Sequence, residues 1–122
     1  MTAYALASLR TPETVHPEVF DYMEHIQSTL DPYSGRFIVH GGEVDVREGA
    51  WDGDVVMIEF PGMAEARCWY ESAAYRAIMP LRTDHLAGDV ILVEGVEAGH
   101  DSARMAQGLR AAAGGQVPAG RD

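Results

Sequence analysis

The sequence predicts an α+β domain in which two helices pack on one face of a four-stranded antiparallel sheet. Two observations carry this prediction. Short apolar segments typical of strands occur four times along the chain, and two longer segments with helical periodicity separate them in the order β-α-β-β-α-β. The length of 122 residues is enough for one hydrophobic core and too short for two.

The first half of the chain supplies a strand, a helix and a second strand. Residues 2–9 alternate loosely between larger and small apolar side chains and predict the first strand. Residues 17–30 place apolar side chains at spacings of three and four, which predicts an amphipathic helix, and the Asp-Pro pair at 31–32 ends it. Residues 36–47 predict a long second strand, in which the glycine pair at 41–42 introduces a bulge or a bend.

The second half supplies two more strands and a helix. Residues 55–60 predict the third strand, which forms a hairpin with the second one. Residues 64–79 have helical spacing, and Pro80 is expected to stop or kink this helix, so that it forms in one or two pieces. Residues 90–93 are a continuous apolar run, which is typical of a strand buried on both faces.

These elements fall within residues 1–96, which we interpret as one domain of ferredoxin-like topology. Two β-α-β halves with right-handed crossovers interleave into this topology and leave both helices on the same face of the sheet. Residues 97–122 form a C-terminal tail rich in glycine and alanine. Within it, residues 100–113 predict one weak helix and residues 114–122 a flexible end.

This arrangement leaves the second face of the sheet without helices. Strand alternation is expected to place four large apolar side chains on it, namely Ile38, Val55, Met57 and Leu92. Such a face is too apolar to stay in water, so either the tail or another copy of the chain should cover it. We predict a homodimer that pairs through this face.

Composition and charge exclude several classes of partner. Nine Lys and Arg residues stand against 19 Asp and Glu residues, so the formal net charge is -10 at pH 7. This charge repels phosphate backbones and anionic lipid surfaces. No apolar run approaches the ~20 residues that a membrane span needs, and residues 1–10 lack the order of a signal peptide. We therefore expect a cytoplasmic protein that binds neither nucleic acid nor membranes.

Six segments in a fixed order resemble a known family of small proteins. They read GRFIVHGGE at 35–43, EGAW at 48–51, VMIEFP at 56–61, WY at 69–70, LR at 81–82 and LVEG at 92–95. Together they resemble the domain of unknown function 1330 family, over about residues 3–96. The resemblance implies a dimeric α/β barrel in which two sheets face each other, related to antibiotic-biosynthesis monooxygenases and muconolactone isomerases. It implies no particular activity.

The first candidate site is predicted on the uncovered sheet face, where alternation is expected to place His40, Glu59 and Glu94 together. An imidazole and a carboxylate in a partly dry cavity can move protons on and off a small organic substrate. His40 and Glu59 are therefore the candidate catalytic residues, and Glu94 is a candidate for substrate binding. In the alternative interpretation His40 is a structural interface histidine that pairs with Glu59 across the hairpin.

The second candidate group combines two arginines with two tyrosines, Arg36, Arg82, Tyr70 and Tyr75. A guanidinium and phenols can orient a carboxylate or phenolate substrate. Ordinary structural roles are the alternative, because tyrosines at helical spacing fit a core and arginines pair readily with the abundant carboxylates.

Motifs for metals and cofactors are missing from the sequence. The five histidines show neither H-x-H nor H-E-x-x-H spacing, so no metal site is expected. The chain also has no nucleophile elbow, phosphate loop or dinucleotide fingerprint, and any reaction is expected to run without a cofactor.

Three classes of function remain open. The first is a cofactor-independent acid/base enzyme, an isomerase, cyclase or monooxygenase that acts on an aromatic or polyketide-like molecule. The second is a non-catalytic module that binds a small ligand or a partner. The third is purely structural. A polar-lined cavity would favour the first two classes, and a solidly packed sheet face would exclude both.

Overall fold

The computed structural model describes residues 1–114, and all statements of structure refer to these residues. The elements are β1 (Ala3–Arg10), α1 (Pro17–Leu30), a short 3-10 turn (Asp31–Tyr33), β2 (Arg36–His40), β3 (Asp54–Phe60), α2 (Met63–Glu71), α3 (Ala73–Thr83), β4 (Ala87–Glu94) and α4 (Ser102–Ala113). The predicted α+β class and β-α-β-β-α-β order are confirmed. Of the flexible end predicted at 114–122, positions 115–122 lie outside the described residues.

The strands form one antiparallel sheet in the order β2-β3-β1-β4. β1 lies in the middle and pairs with β3 on one side and with β4 on the other. α1 crosses over from β1 to β2, the pair α2 and α3 crosses over from β3 to β4, and α1 packs against α3. This is the predicted ferredoxin-like topology with its helices on one face.

The core lies between the helices and the sheet face that carries Ala3 and Ala5. Their small side chains let the helices approach the central strand, and Ile58 of β3 packs beside them. Trp69 of α2 is only 2% exposed, and its indole nitrogen donates a hydrogen bond to Thr29 Oγ1 at 3.0 Å. The largest core side chain is thereby buried without an unsatisfied polar atom.

The second strand is shorter than predicted, because the chain bends at the glycine pair and the strand ends there. β2 ends at His40, and Gly41 then takes a left-handed conformation with φ of 73°. The β-bulge lies between Phe37 and Val39 and not at the glycine pair. Gly41 still donates from its amide to the carbonyl oxygen of Val55 at 2.9 Å, and residues 42–53 then leave the sheet and form no helix or strand. The prediction of one strand over 36–47 was therefore wrong.

The helical segment after β3 does form two pieces, but the break is at Ser72 and not at Pro80. Ser72 has an extended backbone, and its hydroxyl donates to the carbonyl oxygen of Trp69 and accepts from the amide of Tyr75. One side chain thus ends α2 and caps α3. Pro80 lies in the last part of α3, which continues to Thr83. So close to the end of the helix, proline removes one hydrogen bond and does not stop the helix.

One residue of the predicted open face lies on the other side of the sheet. Leu92 pairs with the buried Ala5 and packs against the core, so it faces the helices. Its neighbours Ile91 and Val93 face away from the helices and are 53% and 41% exposed. In the single chain β4 is an edge strand with one face covered by helices, and burial of its other face stays a prediction that depends on a partner copy. Met57 lies on the open face as predicted, opposite Leu6.

No helix within residues 1–114 is long and apolar enough to cross a membrane. Asp101 caps α4, because its carboxylate accepts from the amide of Ala103, and none of the residues of α4 is buried in the single chain.

Candidate functional site

A cavity of about 390 Å³ lies between α1 and the helix-covered face of the sheet. Its walls are largely apolar and include Ala5, Ala7 and Val56 from the strands and Val19, Met23 and Ile26 from α1. The alanines of β1 leave this space open because larger side chains at these positions would fill it. The cavity is therefore a consequence of small residues in the central strand.

Three polar side chains meet in the helical wall of the cavity. The hydroxyls of Tyr22 on α1 and Tyr75 on α3 lie 2.8 Å apart and share a hydrogen bond. Arg82 of α3 donates from Nη2 to the Tyr75 hydroxyl at 3.3 Å, and its guanidinium lies 5.5 Å from the centre of the Tyr22 ring. Tyr75 and Arg82 are two helical turns apart and share one face of α3. We refer to these three residues as the Arg82 triad.

The Arg82 triad has more hydrogen-bond donors than it uses internally. The two phenols carry one proton each, and their mutual hydrogen bond uses one of the two. Of the N–H donors on Arg82, the hydrogen bonds among residues 1–114 use only the one to Tyr75. No fully buried side-chain nitrogen or oxygen in this part of the chain lacks a partner, so the unused Arg82 nitrogens border open space. The triad can thus donate to an acceptor that enters the cavity.

Arg82 is also a buried positive charge. It is 5% exposed, and none of the ion pairs found among residues 1–114 includes it. Burial by itself lowers the pKa of Arg82, but interactions with Tyr75 and Tyr22 outweigh burial and raise that pKa. Burial and the neighbouring Tyr75 raise the pKa of Tyr22, so this phenol stays neutral. The cavity wall therefore carries a positive charge that no carboxylate in the described chain neutralises.

Polar groups also border the cavity on the sheet side. His40 lies opposite Val56 at the end of β2, and its ring stacks on Phe37 with 4.3 Å between ring centres. Nearby in the lining, Thr11 donates from its hydroxyl to Asp54 at 3.1 Å. An imidazole and a carboxylate thus both reach the cavity, although the imidazole is largely exposed.

The three residues of the first predicted site do not meet. Glu59 lies on the open face of the sheet, opposite Arg36 and paired with it at 2.7 Å. His40 lies on the helix-covered face, because the bulge before Val39 reverses the alternation of β2. Glu94 lies opposite the buried Ala3, at the exposed end of edge strand β4. The predicted shared face for this group was wrong, and neither Glu59 nor Glu94 lines the cavity.

The second predicted group is divided. Tyr75 and Arg82 come together in the cavity wall, as the grouping required. Arg36 is held by Glu59 on the opposite face of the sheet. Tyr70 is absent from the cavity lining, and its hydroxyl donates to the sulfur of Met79 at 3.6 Å. The pairing with Glu59 corresponds to the structural alternative for Arg36.

Tyr22 was missed as a site residue. It lies three residues after Val19 and four before Ile26, so the helical periodicity already placed it on the buried face of α1. A hydroxyl at a buried helical position needs a partner, and this was the available signal. The partners themselves are on α3, which the sequence pattern could not show.

The six sequence segments between residues 35 and 95 fall within a match to a known protein family. The sequence matches the family described as Domain of unknown function (DUF1330) over residues 2–96. The chain belongs to this family. The match covers all four strands and α1 to α3 of the DUF1330 chain, and it ends before α4. No curated protein sequence matches the chain significantly.

Solved structures with this fold include several proteins of unknown function. A protein of unknown function from Rhodopseudomonas palustris is 14% identical to the DUF1330 chain, with a TM-score of 0.59 over 79% of this chain and 83% of that one. A NIPSNAP domain protein from Burkholderia xenovorans is 13% identical, with a TM-score of 0.51 over 83% and 100%. An antibiotic biosynthesis monooxygenase is 22% identical, with a TM-score of 0.50 over 80% and 100%. At these identities the likeness shows the fold alone.

Proposed function

We propose that this DUF1330 protein binds a small organic anion with an apolar, planar body in the cavity between α1 and the sheet. One observation carries the proposal: Arg82 is a buried cation with unused donors, and it borders an apolar cavity without a carboxylate partner in the described chain. A buried charge is costly unless it is paired, so an anionic ligand stabilises this site as well as filling it.

The size and lining of the cavity indicate the rest of the ligand. The volume of about 390 Å³ is in the range of small-molecule sites. Aromatic side chains that are not fully buried also line the cavity, namely Phe37 and the exposed Phe20, and an aromatic ring of a ligand can pack against them. A carboxylate, phenolate or enolate on an aromatic or polyketide-like molecule satisfies both the charge and the shape.

The first test is a preference for an anion over its neutral counterpart. Trp69 lines the cavity and Trp51 is exposed in the loop between β2 and β3, so the Trp51→Phe variant leaves one tryptophan, at the site. In this variant, 1-naphthoate is expected to change the fluorescence of Trp69 with a Kd at least about tenfold below that of 1-naphthamide, since hydrogen bonds to a charged group are stronger than neutral ones.

The amide has nearly the size and shape of the acid, and it controls for burial of the ring. Equal affinity of the two probes, or no binding of either, would contradict the proposal. Native mass spectrometry of freshly purified protein then identifies any molecule that the cavity retains.

We extend this proposal from binding to catalysis. His40 borders the cavity, and an imidazole can both accept and donate a proton, which suits a cofactor-independent isomerase, cyclase or monooxygenase. Glu59 is not part of this proposal, because it lies on the other face of the sheet and pairs with Arg36. The alternative is a non-catalytic binding module, for which the cavity and the Arg82 triad suffice.

We further propose that two copies pair through the open sheet face. Val55 and Met57 of β3 and the exposed Ile91 and Val93 of β4 make this face apolar, and no helix within residues 1–114 covers it. Arg36 and Glu59 lie on this face of β2 and β3, and their ion pair leaves neither charge uncompensated. A second copy of the chain offers a matching apolar surface by symmetry.

Replacing Met57 with glutamate is expected to give a monomer. A buried charge without a partner costs about 3–5 kcal/mol, which weakens a dimer by more than about 100-fold. Sedimentation velocity at micromolar concentration measures the change, with Met105→Glu as the control, because Met105 is equally large and lies exposed on α4. A wild-type protein that sediments as a monomer, or a Met57→Glu protein that remains dimeric, would contradict the interface.

A further inference from the structure

Two histidines and a glutamate that are far apart in the sequence meet at the rim of the cavity. His16 precedes α1, Glu18 lies in its first turn, and His85 follows α3. The rings of His16 and His85 stack with their centres 3.7 Å apart and an angle of 7° between their planes. Nε2 of His85 lies 2.8 Å from Oε1 of Glu18. One donor atom from each of the three residues lies within 4.8 Å of the other two.

These distances suit a divalent cation. Ligand atoms bound to tetrahedral zinc at about 2.0–2.1 Å lie roughly 3.3 Å from one another. The Glu18 and His85 atoms are already closer than this, and the nitrogen of His16 has to move by about 1.5 Å at most, relative to the limit of 4.8 Å. Because an imidazole binds a metal in the plane of its ring, the stacked rings of His16 and His85 also have to turn toward a common point. The side chains of His85 and Glu18 are 22% and 45% exposed, so small rotations are possible and an ion can enter from solvent.

We propose that His16, Glu18 and His85 form a binding site for a zinc-like divalent cation. Imidazole nitrogens favour zinc and its neighbours over calcium or magnesium, which prefer oxygen ligands. Three protein donors leave a fourth position for water or another ligand. The histidine spacing along the sequence excludes the usual local motifs, and the site arises because the start of α1 packs beside the end of α3.

An ion at this site would lie at the mouth of the ligand cavity. Val15 and Val19 flank the first two ligands, Leu86 follows the third, and all three of these apolar residues line the cavity. A bound ion therefore connects the two helices at the mouth of the ligand cavity. This inference does not depend on the proposed anion, because its test uses the metal alone.

The test is isothermal titration calorimetry of the tag-free full chain, treated with EDTA and dialysed, against ZnCl₂. One ion per chain is expected, and His16→Ala and His85→Ala are each expected to raise the Kd by about tenfold or more, since each removes one of three ligands. His25→Ala is the matched control, because His25 is an exposed histidine of α1 whose ring contacts the carbonyl oxygen of Asp21. Zinc is also expected to raise the melting temperature of the wild type and not that of His85→Ala.

Electron paramagnetic resonance with Cu²⁺ identifies the ligands directly, and the wild type is expected to show coupling to two imidazole nitrogens. If His16→Ala or His85→Ala fails to fold, the corresponding glutamine variant is used in its place. No saturable binding, or binding that the variants at 16 and 85 leave unchanged, would overturn the site. So would equal loss of binding in His25→Ala.

Discussion

Replacing Arg82 with leucine is expected to weaken the binding of 1-naphthoate by about 100-fold, while the Kd of 1-naphthamide changes by less than about threefold. Arg82 is the only member of the triad that carries a charge, and at 5% exposure its attraction for an anion is weakly screened by water. A hydrogen-bonded pair of charges of this kind contributes about 3 kcal/mol. The preference for the anion should therefore disappear, and not only the overall affinity.

The same variant is expected to remain folded. Leucine removes a cation from a site where burial disfavours it, and the Tyr22 and Tyr75 hydroxyls keep their mutual hydrogen bond. Thermal melting checks this, and Tyr22→Phe gives a milder second probe that keeps Arg82. An unchanged ratio of the two Kd values in folded Arg82→Leu would show that Arg82 is a structural cation held by the two phenols.

Replacing His40 with asparagine is expected to lower turnover by about 100-fold or more if the protein is an acid/base enzyme. Asparagine keeps a similar size and some hydrogen bonding, but its amide can neither take up nor release a proton at neutral pH. The substrate is the molecule that native mass spectrometry finds in the purified protein, and its conversion is followed by liquid chromatography. Binding of 1-naphthoate should persist, because Arg82 is unchanged.

The stacking of His40 on Phe37 supplies the control for a structural role. His40→Phe keeps a flat ring against Phe37 but cannot transfer a proton, so a catalytic histidine requires both variants to be slow. Normal turnover in His40→Phe would assign His40 to packing, and unchanged turnover in both variants would exclude it from the reaction.

The sequence predicted the fold well because local periodicity determines most of it. The bounds of α1 agree with the prediction to the residue, and four strands occur in the predicted order. Features that depend on how the strands pair with one another could not be predicted from the sequence. The bulge between Phe37 and Val39 falls in an unbroken run of strand-type residues and had no local signal, whereas the glycines at 41–42 correctly marked the bend that ends β2.

The candidate site was predicted in part. Arg82 and Tyr75 are two turns apart on one helix, so a shared role was within reach of the sequence. Tyr22 joins them only because α1 packs on α3. The predicted pairing of His40 with Glu59 was wrong because the bulge shifts the register of β2 by one residue. Such a shift moves each later side chain of the strand to the opposite face of the sheet.

That extra residue in β2 also limits how residue roles transfer between relatives. Two strands can align in sequence without a gap and still present opposite faces, if one contains the bulge and the other does not. In a relative with a regular β2, the counterpart of His40 would point out of the cavity even if it were also histidine. In a sequence alignment, positions 38–40 thus correspond to the same place in the fold only among proteins that share this bulge. Positions in β1 need no such check, since β1 pairs with both of its neighbours in continuous register.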